Sequence, residues 1–329
     1  MTLPFDARLL TALRAAEVHL SAEELAAAIG ESREAIESHL AVLRGAGFDI
    51  ELKPGFGYRL LGNPDRIIAD DLWARLADTA GTGFLRELLV FEETGSTNDV
   101  AAQFGRQCAP GGLAIFAERQ TAGRGRFGRR WESASHRGLW FSLLLRPELP
   151  VAHWTRLTTW AAVAVAAALE KTASCRAAIK WPNDVYLEGR KASGILIEMG
   201  AGADQQSFAV MGIGVNVNHT PEDFPDELRE TATSLHIAAG HEIERATVAA
   251  AILRELGNTW PLLEKDFAAL LSQASARSVL LGKWIQVQAG ANVLEGVAEE
   301  LDADGHLLMR TAEGLIERLS AGEVSFRTK

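Results

Sequence analysis

The pattern of apolar and polar positions in the first sixty residues predicts three short helices followed by a hairpin. Apolar residues recur at three- and four-residue spacing in the segments ARLLTALRA, SAEELAAAIG and SREAIESHLAVLRGAG. Ser21 and Glu24 match a capping box that opens the second helix, and Ser32 follows Gly30 as the N-cap of the third. The turn KPGFG then joins two β-prone runs, so we expect a winged helix-turn-helix over residues 1–64.

Strand and helix patterns are mixed in the middle of the chain. Residues 65–84 follow Gly-Asn-Pro and contain one short helical pattern, which is typical of a connector. In residues 85–275, LAIFAER and LWFSLLLRP predict strands, and WTRLTTWAAVAVAAALEK predicts a helix. GILIEMG and FAVMGIGVNVN are joined by the short polar AGADQQS, which favours an antiparallel pair over a βαβ crossover. We expect an α+β domain, not a doubly wound sheet.

The last segment, residues 276–329, contains short β runs separated by turns that carry Gly, Asp or Asn. This spacing predicts a small β-barrel. Only its final Arg327 is a candidate for chemistry.

Composition and charge limit the class of protein. A hydrophobic share of 47% with 23% charged residues is typical of a globular protein, and 329 residues suffice for two or three domains. The two cysteines form no C-x-x-C pair, the N-terminus lacks a signal-peptide pattern, and the longest apolar run is too short to span a membrane. The expected location is the cytoplasm. A net charge of −10 argues against indiscriminate nucleic-acid binding.

A local cationic segment, RQTAGRGRFGRRW (119–131), contrasts with this acidic balance. Its glycines allow the backbone to approach a ligand, and its arginines supply forked donors for carboxylate or phosphate oxygens. The spacing matches neither a P-loop nor a dinucleotide-binding loop. A solvated basic loop and an RNA-binding patch remain alternatives on composition alone.

Two further polar stretches support an anion site. In IKWPNDVYLEGRKASGILIEM, Lys180, Asn183 and Asp184 follow one strand, and Lys191 precedes another. Taken alone, Asp184 could be a turn residue and Lys191 a surface cation. Together with the arginine segment they favour activation of an anion with a magnesium ion. The stretch TGSTNDVA, taken alone, favours a helix N-cap.

No nucleophile elbow surrounds a serine, and neither cysteine has an evident histidine partner. Covalent nucleophilic catalysis is therefore not predicted. His136, His153 and His219 receive no functional role.

Taken in order, the stretches GSTN, QTAGRGRFGRRW, KWPND, RKASGIL and GIGVN resemble those of biotin protein ligases over essentially the whole chain. With the winged helix, the chain resembles the bifunctional bacterial type, which also represses the biotin biosynthetic operon. The resemblance implies a central domain like that of class II aminoacyl-tRNA synthetases and an SH3-like C-terminal barrel. It also implies a homodimer formed through the central domain.

The resemblance implies a two-step reaction. Biotin and ATP give biotinyl-5′-AMP and pyrophosphate, and biotin then passes to one lysine of the biotin carboxyl carrier protein of acetyl-CoA carboxylase. The implied cofactors are biotin as substrate, ATP and Mg²⁺, the last near Asp184.

The family motifs also imply the site residues. The positions that match catalytic groups are Lys191, Arg126 and Arg124. The positions that match biotin contacts are Ser96, Thr97, Asn98, Gln120, Gly123, Arg124, Trp131, Lys191 and Gly194, with an apolar wall from Gly194 to Ile197. The positions that match nucleotide contacts are Arg126, Lys180, Asn183, Asp184, Asn216 and Arg327.

Whether the winged domain binds operator DNA stays open at this point. Residues 1–61 hold nine acidic and six basic residues, and Glu31, Glu34 and Glu37 lie near the helix end expected to face DNA. Ser32, Arg33 and Lys53 are the candidate DNA contacts. One alternative is a ligase with a purely structural winged domain. A lipoate ligase and a non-catalytic, biotin-sensing transcription factor are the others.

Overall fold

The computed structural model describes residues 3–77, 83–289 and 292–326, and these residues form two compact units. The described part of the first unit runs to residue 77 and includes residues 244–250. The second unit contains the rest of the described chain. Within the described residues, no helix is both long enough and apolar enough to cross a membrane.

The first unit is the predicted helix-turn-helix with its hairpin. Its elements are α1 (Phe5–Ala15), α2 (Ala22–Ile29), α3 (Arg33–Gly45), the antiparallel strands β1 (Asp49–Lys53) and β2 (Gly57–Gly62), and α4 (Ala69–Leu76). The Ser21–Glu24 capping box is present, and the Ser32 hydroxyl accepts from the Ala35 N–H. The helices bury Leu9, Leu10, Leu25, Ile36 and Leu40 because these residues share the inward faces.

A buried carboxylate holds α4 in this unit. Asp71 is 2% exposed and accepts from Arg14 of α1 and from Arg75 Nε at 2.9 Å. Arg75 also donates to Glu244 at 2.6 Å. Two arginines compensate the desolvation of one buried carboxylate, so removal of either would leave a charge without its full set of partners.

The second unit is built on a seven-stranded mixed sheet. Its strands are β3 (Glu87–Thr94), β4 (Leu113–Gln120), β5 (Gly138–Leu145), β6 (Ala177–Lys180), β7 (Asp184–Leu187), β8 (Arg190–Ala201) and β9 (Ser207–Asn216). Their order is β3-β4-β5-β9-β8-β7-β6. Among the pairings of these seven described strands, β3–β4 is parallel and the other five are antiparallel. The predicted antiparallel pairing of GILIEMG with FAVMGIGVNVN is therefore confirmed.

Helices complete the unit. They are α5 (Thr97–Arg106), α6 (Arg156–Ala173), α7 (Leu235–Ala239), α8 (Arg245–Lys265), whose residues 245–250 belong to the first unit, and α9 (Phe267–Arg277). The short α5 packs on β4, β5, β8 and β9, while α6 packs on β6, β7 and β8. The alanine-rich sequence of α6 suits its burial, since small side chains permit close approach to the sheet. The predicted α+β class is confirmed.

The C-terminal segment forms a small antiparallel sheet in the order β13-β12-β11-β10-β14. Its strands are β10 (Trp284–Ala289), β11 (Asn292–Leu301), β12 (Leu307–Thr311), β13 (Ile316–Leu319) and β14 (Glu323–Phe326). They enclose one apolar cluster that contains Ile285, Val287 and Met309. Trp181, from the β6–β7 turn, belongs to the same cluster.

Candidate active site

A cleft of about 450 Å³ lies in the second unit, and the three predicted polar stretches meet there. This volume suits a small-molecule site. The predicted site residues that border the cleft are Ser96, Thr97, Asn98, Gln120, Arg124, Arg126, Trp131, Lys180, Asn183, Asp184, Lys191, Gly194 and Asn216. Arg327 lies outside the described residues.

The N-terminus of α5 forms one polar end of the cleft. Ser96 occupies the N-cap position, but its side chain makes no capping hydrogen bond. Thr97 N donates to Gln120 Oε1 at 2.8 Å, and Gln120 Nε2 donates to Ser133 Oγ at 3.2 Å. The amide of Gln120 is thus oriented, with its carbonyl towards α5. This end can offer hydroxyl and amide groups to a polar ring.

The arginine segment folds back on itself beside this end. Arg124 and Arg130 form an isolated antiparallel bridge, and Gly125 N donates to Arg129 O at 2.7 Å. Arg124 Nη2 donates to Asp99 at 2.8 Å and to Glu198 at 2.9 Å, and these hydrogen bonds raise the pKa of its guanidinium. The segment is therefore not a set of free cations, because acidic side chains pair with Arg124.

Arg126 reaches the other side of the cleft. Its Nη1 donates to Asn183 Oδ1 at 3.0 Å. Burial lowers the pKa of Arg126, although the negative charges of Asp184 and Glu323 act in the opposite direction. Asn183 Nδ2 in turn donates to Ile195 O at 2.7 Å. Arg126 and the β6–β7 turn are therefore joined through one amide side chain.

Two lysines converge on the β6–β7 hairpin. Lys191 Nζ lies 2.7 Å from Asp184 Oδ1 as an ion pair and 5.3 Å from the centre of the Trp131 ring. Lys180 Nζ lies 5.7 Å from the centre of the Tyr186 ring, and burial lowers the pKa of Lys180. Burial, aided by the charge of Asp184, raises the pKa of Tyr186 to about 12. Tyr186 therefore stays neutral at physiological pH.

Glycines form a floor beneath Trp131. A Cβ at Gly214 would lie 2.6 Å from the Trp131 ring, and a Cβ at Gly194 would lie 2.8 Å from it. Gly123 is packed behind the same residue, since its Cβ would meet Trp131 O at 2.7 Å. Gly123 is thus placed beside the cleft, whereas Ile195 and Leu196 border it directly.

The remaining nucleotide-side prediction, Asn216, is buried at the end of β9. Its Nδ2 donates to Thr233 O at 3.0 Å, which leaves its Oδ1 for a ligand or solvent. This bond ties the end of β9 to the segment before α7.

Several residues that border or support the cleft were missed by the sequence analysis. His219 and Phe224 border it, with ring centres 5.3 Å apart, although His219 received no role there. Burial lowers the pKa of His219 to about 4, so its ring is neutral at pH 7. Tyr186 and Glu198 were also missed. The signal for His219 was its place directly after the run GIGVNVN.

No group of three or more His, Cys, Asp or Glu side chains is placed to hold a metal ion in residues 3–77, 83–289 and 292–326. The cleft instead combines neutral hydrogen-bonding groups at one end with lysines and arginines at the other. Such a site can bind a polar ring and bring a carboxylate to a phosphate.

Family models match three parts of the chain. They are the biotin/lipoate A/B protein ligase family at residues 90–216, an HTH domain at residues 7–59 and the biotin protein ligase C-terminal domain at residues 280–327.

Named relatives cover nearly the whole chain. The bifunctional ligase/repressor BirA of Bacillus subtilis (strain 168) is 36% identical over 92% of this chain and 92% of its own length. The protein of the same name from Escherichia coli (strain K12) is 31% identical over 98% and 97%. A solved structure, biotin protein ligase from Aquifex aeolicus in complex with biotin and ATP, is 30% identical, with a TM-score of 0.64 over 74% of this chain and 100% of that one.

The fold and the site therefore define a ligase of the biotin/lipoate type. Within that class the chain belongs to the biotin protein ligase family, in the bifunctional form that carries an N-terminal helix-turn-helix.

Proposed function

We propose that this enzyme joins biotin to ATP in the described cleft and then transfers biotin to one lysine of a biotin carboxyl carrier protein. The observation that carries the proposal is the convergence of Arg126, Lys180 and Lys191 on a cleft whose other end is built from Thr97 and Gln120. The Aquifex aeolicus relative, solved with biotin and ATP, supports the choice of substrates. The match of residues 280–327 to the biotin protein ligase C-terminal domain favours biotin over lipoate.

The first half-reaction brings two anions together. A biotin carboxylate oxygen forms a bond to the α-phosphorus of ATP, the bond from that phosphorus to the bridging oxygen breaks, and pyrophosphate leaves. Lys191 and Arg126 would offset the repulsion between carboxylate and phosphate, with Lys180 beside them. Asn183 orients Arg126, so the cation is fixed before the substrates arrive.

The residues present fit Mg²⁺ delivered with ATP. Asp184 offers a carboxylate at this end of the cleft, and Mg²⁺ is commonly held by one or two carboxylates plus substrate phosphates. When bound, the ion would neutralise part of the phosphate charge. Asp184 would then exchange some of its contact with Lys191 for the ion.

The second half-reaction requires a neutral acceptor amine. The amine forms a bond to the biotin carbonyl carbon, the bond to the phosphate oxygen breaks, and AMP leaves. The amine proton passes to an oxygen near Lys191. The carboxylate of Asp184, 2.7 Å from the Lys191 ammonium group, is a candidate for this oxygen.

The test uses the whole protein with biotin, MgATP and a carrier domain of acetyl-CoA carboxylase. Mass spectrometry should show one biotinyl group on one carrier lysine, only when biotin and ATP are both present. Lys191→Gln should slow the reaction by roughly 100-fold or more. The matched control is Lys171→Gln, since Lys171 is 67% exposed and pairs with Glu255 away from the cleft. Equal rates in the two variants would refute the role of Lys191.

Repression of transcription is the second proposed activity. The helix-turn-helix and the names of the full-length relatives favour it. The candidate DNA contacts are Ser32, Arg33 and Lys53. Ser32 is engaged as the cap of α3, and Arg33 is paired with Glu23 at 2.6 Å and Glu37 at 2.9 Å. For Arg33 to contact a DNA phosphate, the phosphate has to compete with Glu23 and Glu37.

The proposal also includes a homodimer formed through the central domain. It keeps the four predicted segments of the chain, with boundaries after residues 64, 84 and 275. Arg327 belongs to the proposed nucleotide contacts on the family motif alone. Sedimentation of the whole protein with and without biotin and MgATP tests the dimer.

A further inference from the structure

The hydroxyl of Ser142 is buried beneath the cleft at the centre of the seven-stranded sheet. Ser142 lies on β5, opposite Gly212 of β9, and is 0% exposed. Its Oγ lies 2.7 Å from Thr97 Oγ1 and 2.6 Å from Asn98 Oδ1. The described residues that border the cleft do not include Ser142. Any effect of Ser142 on a ligand must therefore pass through Thr97 and Asn98.

The absence of a side chain at Gly212 makes this contact possible. A Cβ at that position would lie 2.3 Å from Asn98 Oδ1, which is closer than a non-bonded carbon and oxygen can approach. Residues opposite each other on paired strands point to the same face, so Ser142 and Gly212 lie together under α5. The side chain of Asn98 is thus seated directly on the sheet.

The orientation of the Asn98 amide follows from its second partner. Asn98 Nδ2 lies 2.6 Å from Glu198 Oε2, and Glu198 is paired with Arg124. An ionised carboxylate only accepts hydrogen bonds, so the NH₂ group of Asn98 must face Glu198. Its carbonyl oxygen must then face Ser142, where it can only accept.

Two hydroxyl protons serve three contacts between oxygens in this group. Besides the two contacts of Ser142, Thr97 Oγ1 lies 3.1 Å from Gln120 Oε1. Asn98 Oδ1 has no proton, so Ser142 must donate to it, and the oxygen of Ser142 must then receive the proton of Thr97. Any other assignment leaves two bare oxygens at 2.6 or 2.7 Å, which is repulsive. Gln120 Oε1 remains satisfied by Thr97 N.

We propose that Ser142 is a positioning residue that sets the direction of these hydrogen bonds and so makes the Thr97 hydroxyl an acceptor for a ligand N–H. The inference rests on the proposed function, because the N–H groups are those of the biotin ureido ring. The direction is fixed from the arginine segment inwards: Arg124 orients Glu198, Glu198 orients Asn98, and Asn98 orients Ser142.

The test compares biotin with two cyclic carbamate analogues, each of which replaces one ureido N–H by a ring oxygen. Calorimetry on the whole protein gives the Kd of each compound. The wild type should bind at least one carbamate about 10- to 100-fold more weakly than biotin, since two acceptors would face each other. In Ser142→Ala the Thr97 proton is free to turn to the ligand. The ratio of the carbamate Kd to the biotin Kd should then fall to within about threefold.

Ser193→Ala is the matched control. Ser193 is also 0% exposed in this sheet, and its hydroxyl has no hydrogen-bond partner among the described residues. It should keep the wild-type ratio. If Ser142→Ala does not fold, Ser142→Cys, with a weaker donor, should give an intermediate ratio.

The outcomes separate the two claims. Biotin binding with an unchanged ratio in Ser142→Ala overturns the role of Ser142 alone. Equal binding of biotin and both carbamates by the wild type overturns the acceptor assignment of Thr97. A wild type that binds no biotin overturns the proposed function and, with it, this inference.

Discussion

Three cationic side chains of the cleft have acceptors on the protein itself. Lys191 pairs with Asp184, Arg124 with Glu198, and Arg126 donates to Asn183. These contacts hold the cations in place before an anion binds, so little reorganisation is needed when carboxylate and phosphate meet. An incoming anion has to compete with the protein's own carboxylates, which favours a ligand that supplies several charges together.

Arg126→Lys should weaken retention of biotinyl-5′-AMP. The ammonium group lacks the planar fork that allows Arg126 to contact Asn183 and the ligand together. We expect the adenylate to dissociate at least about tenfold faster, with the KM for biotin nearly unchanged. Dissociation of labelled adenylate measures this. Arg119→Lys should match the wild type. Arg119 belongs to the same segment as Arg126, but it is exposed and pairs with Glu93 of β3.

His219 should make the folded state sensitive to acid. Burial lowers its pKa from 6.5 to about 4, so the unfolded chain binds the proton more readily between these values. The stabilisation from this residue is present above pH 6.5 and is lost as the pH falls towards 4. It amounts to about 3 kcal/mol.

Urea unfolding at several pH values measures that loss. His219→Gln should show a flatter dependence between pH 6.5 and 4 than the wild type. The control His241→Gln changes an exposed histidine of the same unit and should keep the wild-type slope. A wild-type slope in His219→Gln would contradict the assignment.

Short sequence patterns correctly predicted those features of the helices and strands that depend on neighbouring residues. The capping box at Ser21, the cap at Ser32 and the antiparallel pairing of β8 with β9 all follow from short stretches of sequence. Contacts between distant residues were not predictable in this way. Ser142 meets Asn98 across 44 positions, and Trp181 meets Gly305 across 124, and no periodicity reports such pairs.

The same limit applies to the site. The family motifs identified many of the residues that border the cleft, because each motif is contiguous in sequence, but they did not identify Tyr186, His219 or Phe224. They indicated Asp184, the partner of Lys191, but not Glu198, because nothing in the local sequence of β8 distinguishes Glu198. Its pairing with Arg124 depends on how the arginine segment folds over the sheet.

Trp181 links the β6–β7 turn to the C-terminal sheet. It is 6% exposed within the core of that sheet, and its Nε1 donates to Gly305 O at 3.0 Å. Trp181→Phe should leave that carbonyl unpaired, lower the free energy of unfolding by about 1–3 kcal/mol and raise the KM for ATP. The second effect is expected because Lys180 and Asn183 flank Trp181.

Trp154→Phe is the control for this prediction. Trp154 is also buried, and its Nε1 donates to Leu149 O at 3.0 Å. It should lose similar stability with an unchanged KM for ATP. If both variants raise KM equally, the C-terminal sheet has no specific part in positioning the turn.

The chain as a whole is acidic, and it combines a cleft lined by lysines and arginines with a helix-turn-helix of net negative charge. Gel shift on the protein's own biotin-operon promoter DNA, at stated salt, should show a complex only with biotin and MgATP together. No shift, from protein that still biotinylates its carrier, would make the winged domain structural.

The paired Glu23→Gln and Glu37→Gln substitutions should strengthen that complex by releasing Arg33 for phosphate contact. Glu17→Gln with Asp49→Asn removes as much negative charge from the first unit without altering the partners of Arg33. Equal gains from the two double variants would show a general charge effect and exclude a specific role for Arg33.

The proposed product of this cleft is biotinyl-5′-AMP. The most direct measurement is a single turnover of the whole protein with biotin and MgATP, quenched and analysed by mass spectrometry for the adenylate and by enzyme assay for pyrophosphate. The proposed reaction predicts the two products in equal amounts, only with both substrates, and a large loss in Lys191→Gln but not in Lys171→Gln. Biotin binding without either product would contradict it and leave a biotin sensor without catalysis.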